Sequence, residues 1–197
     1  AQKNKFDVAI LDDGLQQKNI KYDLKIACFN SQEGLGNGFL IPAGPLRENI
    51  YEMRNYDLAF INGEKKNNIL YKKLQSINKN LKLFEGKYEP TNLKKFNKKI
   101  NYLMFCGIGN PQEFENTLVK YNFKVKQKFL FPDHYKIPKN ELKNIKKLAK
   151  KNKLKIVTTE KDYFRLDKYE RKNINYLKVN LKIKKINQLI KFLNSKL

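Results

Sequence analysis

Residues 100–121, INYLMFCGIGNPQEFENTLVKY, read as a strand, a tight turn and a helix. Ile100 to Cys106 is an apolar run of strand length, Gly107-Ile108-Gly109-Asn110-Pro111 punctuates it, and a helix runs on to about Tyr121. The same rhythm extends downstream. Phe123 to Phe131 reads as extended, and Asn140 to Asn152 as a Lys-rich amphipathic helix with Leu142, Ile145, Leu148 and Ala149 on one face. Leu154 to Val157 and Tyr176 to Val179 read as short strands. Ile186, Leu189, Ile190 and Leu193 mark a closing amphipathic helix.

Upstream, Phe6 to Leu11 (FDVAIL) reads as a buried strand running into Asp12 and Asp13, and Asp23 to Phe29 as a second strand. A Gly/Pro-rich stretch, Gly34 to Pro45, precedes a helix over Leu46 to Asn55, with Pro45 near its first turn. Tyr56 to Asn62 is another strand, and Leu81 to Tyr88 an extended segment crossing between two units. Strands alternating with helices imply parallel sheets covered by helices, so the fold class is α/β. The domain boundary falls near residues 85–99: residues 1–88 form one domain, 89–99 a linker and 100–197 a second, smaller α/β domain.

Composition bounds the function. The 197 residues carry 42 Lys+Arg against 19 Asp+Glu, a formal charge of +23, yet 41% are hydrophobic and 13 Phe and 11 Tyr supply bulky core material. That content argues against a disordered polycation. The longest apolar runs, such as Tyr102 to Cys106, are far short of the roughly twenty residues that span a bilayer. The opening, AQKNKFD, has neither an initiating Met nor the apolar region of a signal peptide, and reads as something other than a natural start. Cys28 and Cys106 each sit in an apolar stretch and read as buried small hydrophobes in a reducing compartment. Only four of the 42 basic residues are Arg (Arg47, Arg54, Arg165, Arg171), whereas specific nucleic-acid readers favour Arg. The charge attracts anions non-specifically, and the Lys runs read as solvated faces suited to anionic lipid.

Several positions carry chemistry. A strand ending in Asp12-Asp13 places carboxylates at the carboxyl edge of a parallel sheet, where α/β proteins bind ligands. With an upstream phosphate loop this is the Walker B arrangement, a carboxylate holding Mg²⁺ against nucleotide phosphates; the alternative is a solvated acidic turn before Gly14. No G-x-x-x-x-G-K-[ST] loop occurs in the sequence. Gly107-Ile108-Gly109 lacks the third glycine of a dinucleotide fingerprint, since Gln112 stands there, and reads as a tight strand-to-helix turn. In Pro42-Ala43-Gly44-Pro45-Leu46-Arg47-Glu48, Arg47 suits a phosphate and Glu48 a metal, or Glu48 merely complements a helix dipole. His134, the sole histidine, is either structural or a general base or proton relay oriented by its flanking Pro132 and Asp133.

Five segments in order resemble one family across almost the whole chain. Asp12-Asp13-Gly14-Leu15-Gln16, Leu40 to Glu48, Phe105 to Pro111, Phe131-Pro132-Asp133-His134 and Thr158-Thr159-Glu160-Lys161-Asp162 are similar to the tetraacyldisaccharide 4′-kinases of lipid A biosynthesis. The resemblance implies a P-loop-kinase-like sheet plus a second α/β domain on an extended linker. It implies transfer of the γ-phosphate of ATP to the 4′-hydroxyl of tetraacyldisaccharide 1-phosphate, giving lipid IVA. It also implies a requirement for Mg²⁺ and peripheral work at the cytoplasmic face of the Gram-negative inner membrane. It assigns Asp12 and Asp13 to the Walker B-like pair, with Asp12 and Glu48 at the metal, Arg47 at phosphate, and Asp13 and His134 in catalysis.

There are departures. Gln17 stands where the family commonly has His, and Tyr135 where a second His is common. The family's phosphate loop, membrane-associating helix and base aspartate precede this region, so the chain is expected to be the carboxyl-terminal majority of a kinase, inactive alone. The other readings are a non-catalytic truncated paralogue and a basic anion- or nucleic-acid-binding module. Neither a specific nucleic acid nor a protein partner is expected.

Overall fold

The computed structural model describes residues 6–17 and 19–196, and in it strands and helices build two mainly parallel sheets. The chain divides into two units, residues 1–88 with 181–197, and residues 89–180.

In the first unit, β1 (Ile26–Asn30), β2 (Leu58–Asn62) and β3 (Lys82–Pro90) lie side by side, with β8 (Val179–Ile183) beyond β3. β1–β2 and β2–β3 are parallel, in a register that aligns Asn30, Asn62 and Gly86, so their carboxyl ends share one edge. Between β2 and β3, helix α1 (Asn68–Ile77) starts where the Asn67 side chain accepts the Leu70 N–H at 2.9 Å. It buries Leu70 and Leu74 on Ala59, Ile61, Leu81 and Met53. Asn78 ends that helix and donates to the carbonyls of Met53 and Tyr56, tying down the 3-10 turn Ile50–Asn55.

In the second unit, β4 (Asn101–Cys106) lies between β5 (Lys124–Leu130) and β6 (Lys155–Thr159), and β7 (Ile174–Leu177) is beyond β6, all parallel. As a central strand β4 is covered on both faces, which is why Tyr102, Leu103, Met104, Phe105 and Cys106 are consecutive apolar residues and all buried. Helix α2 (Pro111–Lys120) packs Phe114 and Leu118 on one face, and α3 (Lys139–Lys151) packs Leu142, Ile145 and Ala149 on the other. Asn110 caps α2 by accepting the Glu113 N–H at 3.1 Å. Short α4 (Glu160–Arg165) follows β6 directly.

The structure corrects several expectations. Phe6 to Leu11 is not a strand: Phe6 is 66% and Ile10 91% exposed. An apolar run becomes a strand only when a neighbour takes its backbone hydrogen bonds and covers its side chains; the described residues 6–11 have neither, so the Walker B-like strand is absent. The opening AQKNK lies outside the described residues. The expected helix over Leu46–Asn55 is only the 3-10 turn, because Leu46 bridges back to Leu40. Residues 89–99 are not a free linker: Leu93, Phe96 and Ile100 pack on the core of Tyr102 and Phe123, with Phe96 and Phe123 ring centroids 5.1 Å apart.

Nor is 100–197 one domain, since residues 181–197 belong to the first unit. There α5 (Ile186–Asn194) buries Leu189 against Leu58 and Phe84, and Lys196 pairs with Asp57 at 2.9 Å. Ile186 and Ile190, expected on its apolar face, are exposed. Cys28 is exposed, being on an edge strand, while Cys106 is buried; both are free thiols.

Candidate functional site

The structure gathers the sequence-derived site residues into two clusters, one in each unit.

In the first unit a folded loop delivers Arg47 and Glu48. The Ile41 N–H donates to the Leu46 carbonyl at 2.9 Å, Leu46 N–H to Phe39 at 3.1 Å, and Gly44 N–H to Leu40 at 3.0 Å. Asn37 clasps the loop from one side, donating to the Ala43 carbonyl at 2.8 Å. Gly44 is required there, because a Cβ would stand 2.4 Å from the Phe39 carbonyl oxygen. Gly36, at φ +57, turns against the Pro45 ring where a Cβ would meet Cγ at 2.5 Å.

Beyond this loop the Arg47 guanidinium (Nη1) meets Asp13 Oδ2 at 3.1 Å. Glu48 accepts from Gln16 Nε2 at 2.8 Å and from the Tyr56 hydroxyl at 3.3 Å. Asp13 itself sits in a left-handed turn at φ 53, before Gly14, whose carbonyl accepts the Tyr22 hydroxyl. The carboxylates mark their surroundings. Partial burial and the Glu48 carboxylate push the Tyr56 phenol up to about 12. Desolvation at the strand edge, then the Asp12 and Asp13 charges, push the Cys28 thiol upward. Arg47 and Glu48 therefore precede the helical turn and its Asn49 cap, and the helix-dipole alternative for Glu48 falls away.

In the second unit the chain leaves β4 toward β5 on one side while β6 lies on the other, so the crevice beyond their carboxyl ends is a topological switch point. Three of the five motifs converge there. Asp162 is buried, 4% exposed, and accepts the Gly107 N–H at 3.0 Å and the Thr159 hydroxyl at 2.7 Å. Thr159 in return caps α4 by accepting the Asp162 N–H at 3.1 Å. Arg165 Nη1 donates to the Gly107 carbonyl at 3.2 Å and meets Asp162 Oδ1 at 3.4 Å. Arg165 Nη2 lies 3.0 Å from His134 Nδ1.

His134 is held at φ 62, its N–H donating to Asp133 Oδ1 at 2.9 Å. Lys161 pairs with the same Asp133 oxygen at 3.2 Å and holds that carboxyl below its usual range. Burial, then Asp162 and Glu115, push the Cys106 thiol up to about 12, leaving it a protonated core residue. The Gly107 segment is thus a strand-to-helix turn that also grips a carboxylate.

Asp13 and Arg47 come together, Glu48 follows Arg47 and is held by Gln16 and Tyr56, Asp12 enters only as the chain neighbour of Asp13, and His134 stands in the other unit's cluster. Sequence reasoning did not single out Gln16, Tyr56, Asp162 or Arg165. Asp162 was within reach, because Thr159-x-x-Asp162 has the spacing of a helix-capping box. Besides Asp162, three residues away, the partners of Arg165 lie 58 and 31 residues away, which no local pattern reveals.

The sequence model of the LpxK family, described as tetraacyldisaccharide-1-P 4′-kinase, matches residues 1–197. A Pelagibacter ubique protein named tetraacyldisaccharide 4′-kinase is 44% identical over 179 residues, which are 90% of this chain and 57% of that protein. One of the same name from Rickettsia typhi is 37% identical over 178 residues, 90% of this chain and 54% of that protein. The chain spans about half the length of the curated relatives it matches. Among solved structures, LpxK from Aquifex aeolicus, crystallised in complex with ATP, matches 93% of this chain and 55% of its own at a TM-score of 0.59 and 23% identity, a likeness of fold. The chain belongs to the LpxK, or tetraacyldisaccharide-1-P 4′-kinase, family.

Proposed function

We propose that this chain forms part of a kinase that transfers the γ-phosphate of ATP to the 4′-hydroxyl of a tetraacyldisaccharide 1-phosphate, giving lipid IVA. The observation that carries this reading is the family match over all 197 residues, supported by the meeting of Asp13, Arg47 and Glu48. The sequence holds no phosphate-cradling loop, so we propose that those backbone amides come from outside the 197 residues and that the chain alone is inactive.

Phosphoryl transfer asks mainly for positioned charge. Arg47 has five N–H donors on a side chain that is 55% exposed, so its fork suits phosphate oxygens as well as Asp13. Asp13 fixes that guanidinium and belongs with His134 to the catalytic set. Glu48, oriented by Gln16 and Tyr56, and Asp12 are the candidate Mg²⁺ holders. Among the described residues no three His, Cys, Asp or Glu gather into a cage. That donor set fits Mg²⁺, which takes one or two carboxylates and completes its shell with phosphate and water. When bound, the ion neutralises charge on the transferring phosphoryl group. In the second unit, His134 serves an aspartate that deprotonates the sugar hydroxyl.

The charge of +23 suits an anionic bilayer, and we place the reaction peripherally at the cytoplasmic face of the Gram-negative inner membrane. No described helix is long and apolar enough to cross a membrane.

The test is phosphoryl transfer by a polypeptide joining this chain to an ATP-loop segment. We expect a new 4′-phosphomonoester on the disaccharide lipid; none formed would overturn the reading. Asp12→Ala should raise the Mg²⁺ concentration needed for half-maximal rate, and an unaltered titration removes Asp12 from the metal site. His134→Ala should lower kcat on the order of 10²-fold.

A further inference from the structure

A guanidinium has only N–H donors and stays charged at any ordinary pH, so it can meet a ring nitrogen only at that nitrogen's lone pair. Arg165 Nη2 lies 3.0 Å from His134 Nδ1. Nδ1 is therefore an acceptor, and the proton of the neutral ring belongs on Nε2. The other charges nearby agree. Asp133 Oδ2 is 3.8 Å from Nε2, too long for a hydrogen bond but favourable to an N–H at that end, and Lys161 is drawn to Asp133 Oδ1.

The arginine is not a loose surface group. Its Nη1 bonds the Gly107 carbonyl and Asp162, and Asp162 is buried and fixed by the Gly107 N–H and Thr159. The His134 ring is 77% exposed, yet its Nδ1 is tied through one side chain to a buried carboxylate.

We infer that Arg165 is a positioning residue that locks neutral His134 in the Nε2–H tautomer, making it a hydrogen-bond donor to an anionic partner rather than a proton acceptor. The use made of that donor rests on the kinase reading: it orients and holds ionised the carboxylate that takes the sugar proton, and His134 does not take that proton itself. The lock is a property of this chain and stands apart from the activity.

The sole histidine gives one set of ring signals, so a long-range ¹H–¹⁵N correlation spectrum of the ¹⁵N-labelled 197-residue chain reads the tautomer directly. It is recorded well above pH 6.5, about where free imidazole titrates. We expect wild type to show Nδ1 bare and Nε2 protonated. Arg165→Lys keeps one cation for Asp162 and the Gly107 carbonyl but has no fork to span both sites. In that variant the two nitrogen shifts should move toward each other as both tautomers populate.

A protonated Nδ1 in wild type overturns the inference without any variant, as does a folded Arg165→Lys chain with an unchanged spectrum. In the assembled kinase, Arg165→Lys should lower kcat roughly tenfold, the ordinary worth of an orienting partner, with the KM for ATP unchanged. An unchanged kcat overturns the positioning role. The predicted tautomer in an assembly without kinase activity would instead defeat the kinase reading and leave the lock intact.

Discussion

In the first unit Arg47 and Asp13 meet at 3.1 Å with side chains 55% and 71% exposed, whereas in the second Arg165 and Asp162 meet at 3.4 Å around a carboxylate only 4% exposed. The shorter pair is the weaker contributor to stability. Water screens Asp13 and Arg47 and solvates either one alone, so their mutual attraction adds little. Asp162 has no such alternative: its charge rests on the Gly107 N–H, the Thr159 hydroxyl and Arg165, and removing any of them leaves a buried group short of a partner. Burial, more than distance, decides which cluster is a structural anchor and which is an open, charged surface.

The largest expected stability effect is at the anchor. Asp162→Ala strips the Gly107 N–H and Arg165 of their shared acceptor and should cost about 3 kcal/mol, read by urea unfolding with hydrogen exchange at β4 and β6 as the local probe. A cost near zero would mean that the buried carboxylate anchors nothing. Asp13→Ala should cost no more than about 1 kcal/mol on the same scale. A larger loss would erase the contrast between the clusters.

The smallest effect is a titration. The Tyr56 phenol is raised from 10.0 to about 12, by burial first and Glu48 second. Because the raised value favours the neutral form in the folded chain, this contribution to stability is fully present below pH 10 and is lost as pH rises through about 12. Glu48→Gln should bring the phenol part of the way back, followed by ¹³C NMR of labelled tyrosine; no movement would separate Tyr56 from Glu48.

The second unit was the more legible in sequence. The run from Tyr102 to Cys106 declares a strand buried on both faces, and Leu142, Ile145 and Ala149 declare the covered face of α3, because local periodicity and tertiary burial agree there. Phe6 to Leu11 carries the same apolar signal and misled, since apolarity records a need for cover and the described residues do not supply it. The Leu46–Asn55 helix was misread because the Leu40–Leu46 bridge, a contact across the loop, takes Leu46 out of it. The closing helix was read correctly as a helix, but periodicity could not say that it packs on the first sheet. For the site, acidic and basic residue types at Asp12, Asp13, Arg47, Glu48 and His134 were visible. The Asp13–Arg47 pairing spans 34 positions and is written only in the fold.

The central claim is that the open cluster of Asp13, Arg47 and Glu48 serves phosphoryl transfer. Its most direct test is single-turnover transfer from ATP to the tetraacylated disaccharide, with both substrates saturating, comparing wild type with Asp13→Ala in the assembled kinase. The account predicts a rate lowered on the order of 10²-fold with the fold intact. An Asp13→Ala enzyme that turns over as fast as wild type would contradict it.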